Sequence, residues 1–278
     1  MTDREPLHTG TDDLIGWVAD GVAVLAFNRP SARNALSEPM YGGFATALPA
    51  IAERADVGCL VVTGQGGAFC AGGDVKGFAA RNADTAAPTR TREAAIDDLR
   101  RRQREVSLAI HRFPKVTIAA IPGAAAGAGL SIALSCDLRV ASERAVITTA
   151  FAKIGASGDF GGSWFLTQLV GASRAKQLYL LSDRLTAADA ERLGVVNMVL
   201  PDDGFEDGWM ALARRIASGP TLAHRYIKEN IDRAAAGADL AACLDAEAPA
   251  MMTTMSSADH REAAAAFVAK RDAVFTGR

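Results

Sequence analysis

Ile121 to Gly162 reads IPGAAAGAGLSIALSCDLRVASERAVITTAFAKIGASGDFGG. It starts as a loop of small residues that runs into a helical pattern. It ends on an acid flanked by glycines, Asp159. An earlier stretch, Gly66 to Phe78 (GGAFCAGGDVKGF), has the same small-residue character. Glycine and alanine let a backbone approach another group closely. Two such loops can aim backbone N–H groups at one developing negative charge, each good donor contributing about 3 kcal/mol. A helix that starts at the loop adds the positive end of its dipole.

Outward from these loops the chain reads as several βα units. Trp17–Ala19 and Val22–Phe27 flank Asp20-Gly21, a hairpin signal. Ser37 is placed to cap a helix with Phe44, Leu48 and Ile51 on one face. The apolar runs Cys59–Thr63 and Val116–Ile121 predict buried strands. Arg81 to Arg92 predicts a mobile surface loop, a candidate lid. Val106, Ile110 and Phe113 follow at helical spacing, with Asp97 and Asp98 near the helix start and Pro114 at its end. Thr186 caps a helix that Gly194 ends, and Val195–Val199 is a last strand. From Phe205 the composition becomes alanine-rich and charged. The expectation is an α/β core over 1–204 and a helical region over 205–278, with residues 1–12 a loose arm.

Composition excludes several classes. The formal net charge is −2, which gives no general attraction to nucleic acid or an acidic membrane. No uncharged apolar run reaches spanning length without glycine and proline, and the first residues carry no apolar signal region. Cys59, Cys70, Cys136 and Cys243 form no CxxC pair and read as reduced thiols of a cytoplasmic protein. His8, His111, His224 and His260 lack metal-ligand spacing, so no metal site is expected. Asp159-Phe160-Gly161 spells a kinase triplet without that enzyme's other motifs, and there is no GxSxG, GxGxxG or GxxxxGK[ST].

Three stretches carry a resemblance: FNRPSARNALS at 27–37, VVTGQGGAFCAGGDVKGF at 61–78 and IPGAAAGAGLSIALSCDL at 121–138. In this order and spacing, with the ending DHREAAAAFVAKRDAVFTGR, the chain resembles the enoyl-CoA hydratase/isomerase (crotonase) superfamily. The resemblance implies a spiral of ββα units, a helical C-terminal trimerisation region giving a homotrimer or dimer of trimers, and acyl-CoA thioester substrates, as in fatty acid metabolism. It implies no cofactor beyond the CoA of the substrate. Its oxyanion donors fall at Gly73 and Ala128. Its CoA contacts fall at Arg33, Asn34, Ala35 and Leu36 and, in the first loop, at Ala71, Gly72, Asp74 and Val75. Asp74 and Asp137 directly follow their motifs and also read as structural residues; Glu143 reads as a solvated turn residue.

The departures from the family pattern point to the reaction. A typical hydratase of the family holds a water between two glutamates. Here those positions read Ser131 and Phe151. Serine orients a water without deprotonating it, and phenylalanine makes its side apolar. What remains is Asp159, where isomerase members such as the dienoyl-CoA and ring-epoxide phenylacetyl-CoA types carry an aspartate. A carboxyl in an apolar pocket holds its proton more tightly, as a proton shuttle requires. The other reading of Asp159 is as a cap for the helix after Gly161-Gly162. The expectation is an isomerase; hydration through Ser131, a nucleophilic Asp159 as in the superfamily's dehalogenases, and a non-catalytic acyl-CoA-binding protein are the alternatives. Phe160, Trp164 and the 81–95 segment are expected to shape the acyl pocket.

Overall fold

The protein is described by a computed structural model covering residues 4–74 and 91–278. Two sheets form its frame. The larger has seven strands in the order β1-β2-β3-β4-β6-β8-β11: Glu5–Leu7, Leu14–Ala19, Val22–Phe27, Cys59–Gly64, Val116–Ile121, Leu138–Ser142 and Met198–Leu200. The smaller has four, in the order β10-β9-β7-β5: Leu185–Thr186, Val146–Thr148, Ala124–Ala126 and Ala68–Cys70. From β3 the larger sheet is parallel, and β5, β7 and β9 are parallel in the smaller.

Consecutive strands therefore alternate between sheets: β4 then β5, β6 then β7, β8 then β9. This is the ββα spiral expected from the resemblance. Its consequence is local. Because β5 and β7 are neighbours, with Cys70 opposite Ala125, the loops that leave them run side by side.

The central strands are apolar on both faces because both faces are covered. On β3, Ala23, Leu25 and Phe27 point to the core between the sheets, while Val22, Val24 and Ala26 point to the opposite side. β4 and β6 divide in the same way. The core between the sheets also takes Phe44, Leu48 and Ile51 from α1 (Glu38–Glu53).

The hairpin forms at the expected place. Asp20 and Gly21 both have positive φ, 51° and 75°, as a two-residue turn of this twist needs. Thr186 accepts a hydrogen bond from Asp189 N, and Gly194 takes a φ of 77° just beyond the helix.

Several expectations are corrected. Residues 1–12 are not a loose arm throughout: Glu5–Leu7 extends the sheet antiparallel to β2, and the Thr9 hydroxyl donates to Thr11 O and Leu14 O. Ser37 stands at the start of α1 without capping it; its hydroxyl donates to Asp13 Oδ2 at 2.5 Å. The helix after the polar loop, α2 (Arg92–Gln103), starts earlier than Asp97; Thr91 caps it and Glu93 is the acid of its first turn. It continues through a π-turn, Arg104–Leu108, and ends at His111. Val195 and Val196 are buried but not extended, since both amides bond to Ala190 O, and the strand begins at Met198. The expected mobile loop falls, from Arg81 to Arg90, outside the described residues.

The C-terminal part is helical. α3 (Ala128–Leu134) and α4 (Gly162–Leu181) belong to the core, and α5 is Ala187–Arg192. α6 (Phe205–Ala217) lays Phe205, Trp209, Met210 and Ala213 on the outer face of the large sheet. α7 (Thr221–Ala235), α8 (Leu240–Met255) and α9 (Ala258–Ala269) follow. Among the described residues, no helix is long and apolar enough to cross a membrane.

Candidate active site

The first loop follows β5. Leu36 forms an isolated parallel bridge with Gly73, and the Leu36 amide donates to Gly72 O at 2.8 Å. In a parallel pair a residue bonds to the neighbours of its partner. The Gly73 amide itself therefore faces away from Leu36. Gly72 has a φ of 87°, and a Cβ there would lie 2.7 Å from Ala126 O and 3.2 Å from Ala128 N. The two small-residue loops thus touch at Gly72, which brings the Gly73 and Ala128 segments together. Ala128 opens α3, so its N–H is one of the helix-terminal donors without an intrahelical acceptor.

Asn34 is buried and holds this arrangement from behind. Its amide nitrogen donates to Gln65 O and Ala68 O, and its Oδ1 accepts from Arg29 N. The N–H groups of Asn34, Ala35 and Leu36 are spent on Arg29, Ala32 and Gly72 carbonyls. Arg33, with a φ of 49°, accepts from Ala71 N through its carbonyl, and its side chain stands at the surface. Asp74 lies 3.7 Å from Arg29, an ion pair beside the loop. Val75 lies outside the described residues.

Asp159 sits in a loop bent by positive φ at Gly158 (108°), Phe160 (51°) and Gly161 (75°). A left-handed phenylalanine is held only by strong surroundings. Phe160 is buried, stacks on Tyr41 at 6.0 Å, and donates its N–H to Gln103 Oε1 at 2.9 Å. The Asp159 carboxyl lies within electrostatic reach of the Tyr41 and Tyr179 phenols. Its Oδ1 is buried and has no hydrogen-bond partner. Burial alone pushes the carboxyl up to about 6. The helix-cap reading of its side chain is not what the structure shows: Gly161 is the cap residue of α4, and no side chain caps it.

Ser131 and Phe151 are both buried, and both lie against Tyr179. Phe151 and Tyr179 stack nearly parallel, 5.8 Å between centroids. Ser131 donates to Gly127 O at 3.3 Å, and its hydroxyl meets the Tyr179 phenol beside Gly162. Burial pushes both Tyr179 and Tyr41 up to about 12, and the nearby Asp159 charge adds to it. Tyr41 also carries Arg102 over its ring at 4.9 Å.

Tyr41, Tyr179 and Gln103 are the residues that sequence reasoning missed. Each sits on a helix far in sequence from the loops. One signal existed: the chain has three tyrosines, and two of them converge on Asp159. The remaining acids match their structural reading. Asp137 accepts from Thr117 N, Thr117 Oγ1 and Lys228 Nζ, and Glu143 is exposed. Cys59, Cys70 and Cys136 are buried free thiols and Cys243 is half-buried. Among the described residues no group of three or more His, Cys, Asp or Glu is placed to hold a metal ion.

A ββα spiral on two sheets, followed by a helical tail, is the crotonase class of α/β protein. The model of the enoyl-CoA hydratase/isomerase family matches residues 18–278, and the chain belongs to that family. It is similar to the 1,2-epoxyphenylacetyl-CoA isomerase of Escherichia coli K12, at 34% identity over 95% of this chain and 98% of that one. It is similar to a probable enoyl-CoA hydratase of Rhodobacter capsulatus, at 36% identity over 94% and 96%. Among solved structures, a putative enoyl-CoA hydratase from Streptomyces coelicolor superimposes with a TM-score of 0.87, at 34% identity over 98% of this chain and 97% of that one. The protein is an acyl-CoA enzyme of the crotonase type.

Proposed function

We propose that the enzyme isomerises an enoyl-CoA-type thioester by moving a proton between two carbons of the acyl group. The observation that carries this reading is the half-buried Asp159 carboxyl, whose Oδ1 is buried without a partner and which acts on the Tyr41 and Tyr179 phenols. A carboxyl with a proton affinity near 6 takes a proton from an activated carbon and returns it at neutral pH. The thioester oxygen gains negative charge as the proton leaves. Gly73 N–H and Ala128 N–H stabilise it as an enolate, with the α3 dipole behind the second donor. Asp159 then protonates the far carbon, and the double bond has moved. Neither Ser131 nor Phe151 supplies the second carboxylate of a two-glutamate hydratase.

CoA binds, in this reading, along Arg33–Leu36 and Ala71–Val75, with the Arg33 guanidinium available to its phosphates. The acyl group lies between the two loops and Asp159. A homotrimer or a dimer of trimers, built through the region after residue 204, is the assembly we propose.

The test follows 3-enoyl-CoA and 2-enoyl-CoA by mass spectrometry in deuterated water, with wild type beside Asp159→Asn. Double-bond migration with deuterium incorporation, reduced at least about 10³-fold in the variant, is the expected outcome for loss of an acid/base group that also forms the enolate. A water adduct that persists in the variant overturns it in favour of hydration.

A further inference from the structure

The isomerase reading uses one carboxyl and two amides, and it leaves two neighbouring hydroxyls unused, the buried Ser131 and the half-buried Tyr179. Ser131 and Tyr179 come from α3 and α4, yet their oxygens meet beside Gly162. A Cβ on Gly162 would overlap Ser131 Oγ and lie 2.5 Å from Tyr179 OH. A Cβ on Gly158 would press on the Tyr179 ring at 2.8 Å. The glycines on either side of Asp159 therefore make room for this phenol. Phe151 covers the ring face, and Tyr41 stacks on Phe160.

A polar pair in an aromatic pocket needs a use or a partner. Ser131 has a partner only at the long distance of 3.3 Å, Gly127 O. Its hydroxyl rotor can instead turn to the phenol, because both oxygens crowd the same point beside Gly162. That turn frees the phenol proton to point into the pocket. The pair then presents one donor, backed by a second, to whatever lies across from Asp159. A hydrocarbon acyl chain would leave that donor unmatched, whereas an oxygen on the chain would accept from it.

We propose that Ser131 and Tyr179 form a hydroxyl relay whose phenol donates to an oxygen borne by the acyl group, selecting thioesters that carry a hydroxyl or ring-ether oxygen near the reacting carbons. This rests on the placement of the acyl group beside Asp159 in the isomerase reading. Tyr179 touches substrate in this assignment; Ser131 acts through Tyr179 as a positioning residue.

The test reads binding rather than turnover, so it succeeds or fails apart from the proton shuttle. Dissociation constants of hexanoyl-CoA and of its 2-, 3- and 4-hydroxy derivatives are measured by calorimetry on Asp159→Asn protein. At least one hydroxyacyl-CoA is expected to bind about tenfold tighter than hexanoyl-CoA, the size of one hydrogen bond made in a dry site. Tyr179→Phe, which keeps the ring on Phe151, removes that preference and leaves hexanoyl-CoA binding within about twofold. Ser131→Ala lowers the preference severalfold. Equal affinity for all four ligands, or a preference that survives Tyr179→Phe or is unchanged by Ser131→Ala, overturns the proposal. A loss of hexanoyl-CoA binding as large as that of the hydroxyacyl ligand also overturns it, because the phenol then only supports the pocket wall.

Discussion

Asp159 carries a cost that should be measurable without substrate. Its folded-state affinity for a proton is raised from 3.8 to about 6, with burial as the cause. A carboxyl raised in this way stabilises the fold below pH 3.8. That stability is lost as pH rises through 6, because the folded state must then bury a charge. Two units correspond to about 3 kcal/mol as an upper figure. Asp159→Asn removes the charge and keeps the shape. The variant should be more stable than wild type at pH 8 by about 1–3 kcal/mol, and the gain should shrink as pH is lowered towards 4. Thermal unfolding at both pH values checks this. A gain that does not change with pH would mean that charge burial is not its origin. The same carboxyl should give the rate on a 3-enoyl thioester an acidic limb, rising with pH through about 6 as the base form appears.

At the scale of elements, the site depends on how close two loops come. Gly72 has both a positive φ and no room for a methyl group against Ala126 O. Gly72→Ala should push the first loop off the second and separate the two amide donors. A loss of at least about 10²-fold in kcat, the effect of one misplaced oxyanion donor, is expected with CoA binding weakened less. Steady-state kinetics and calorimetry separate the two; unchanged kcat would remove the loops from the chemistry. A second contact between elements ties α7 to the sheet. Lys228 is nearly buried and donates to Asp137, which also accepts twice from Thr117 at the start of β6. Lys228→Met keeps the stem and strands the carboxylate, and should cost about 3 kcal/mol in urea unfolding. These elements also show what was legible beforehand. Cys59–Thr63, which the structure extends to Gly64, and Val116–Ile121 read correctly because strands covered on both faces become unbroken apolar runs. The close approach of the two loops was legible because it demands glycine, as at Gly72. Glu5–Leu7 did not, since an edge strand of three residues has no apolar signature. Tyr179 did not, since a helical tyrosine declares nothing about a serine 48 positions earlier until α3 and α4 pack together.

For the whole molecule, the distribution of exposed apolar surface argues for an assembly. The interior is well covered: one core lies between the sheets and another under α6. Beyond α6 the pattern reverses. Ile227 and Ile231 on α7, Leu240, Leu244, Met251 and Met252 on α8, and Phe267 and Val268 on α9 are all exposed, the last two at 86% and 83%. Scattered apolar residues need no explanation, but a run of them on the last three helices is the kind of surface a second copy would cover. Each exposed large side chain covered by a second copy contributes about 1.5–3 kcal/mol. The region has little of its own core to lose, so a charge there should disturb association before it disturbs folding. In light scattering after gel filtration, wild type is expected at three times the 29.0 kDa chain mass, or at twice that product. Met252→Glu with Phe267→Glu should shift the protein towards the single-chain mass while the circular dichroism spectrum stays that of the wild type. A wild type that runs as a single chain at micromolar concentration would mean that these helices fold back on their own core instead.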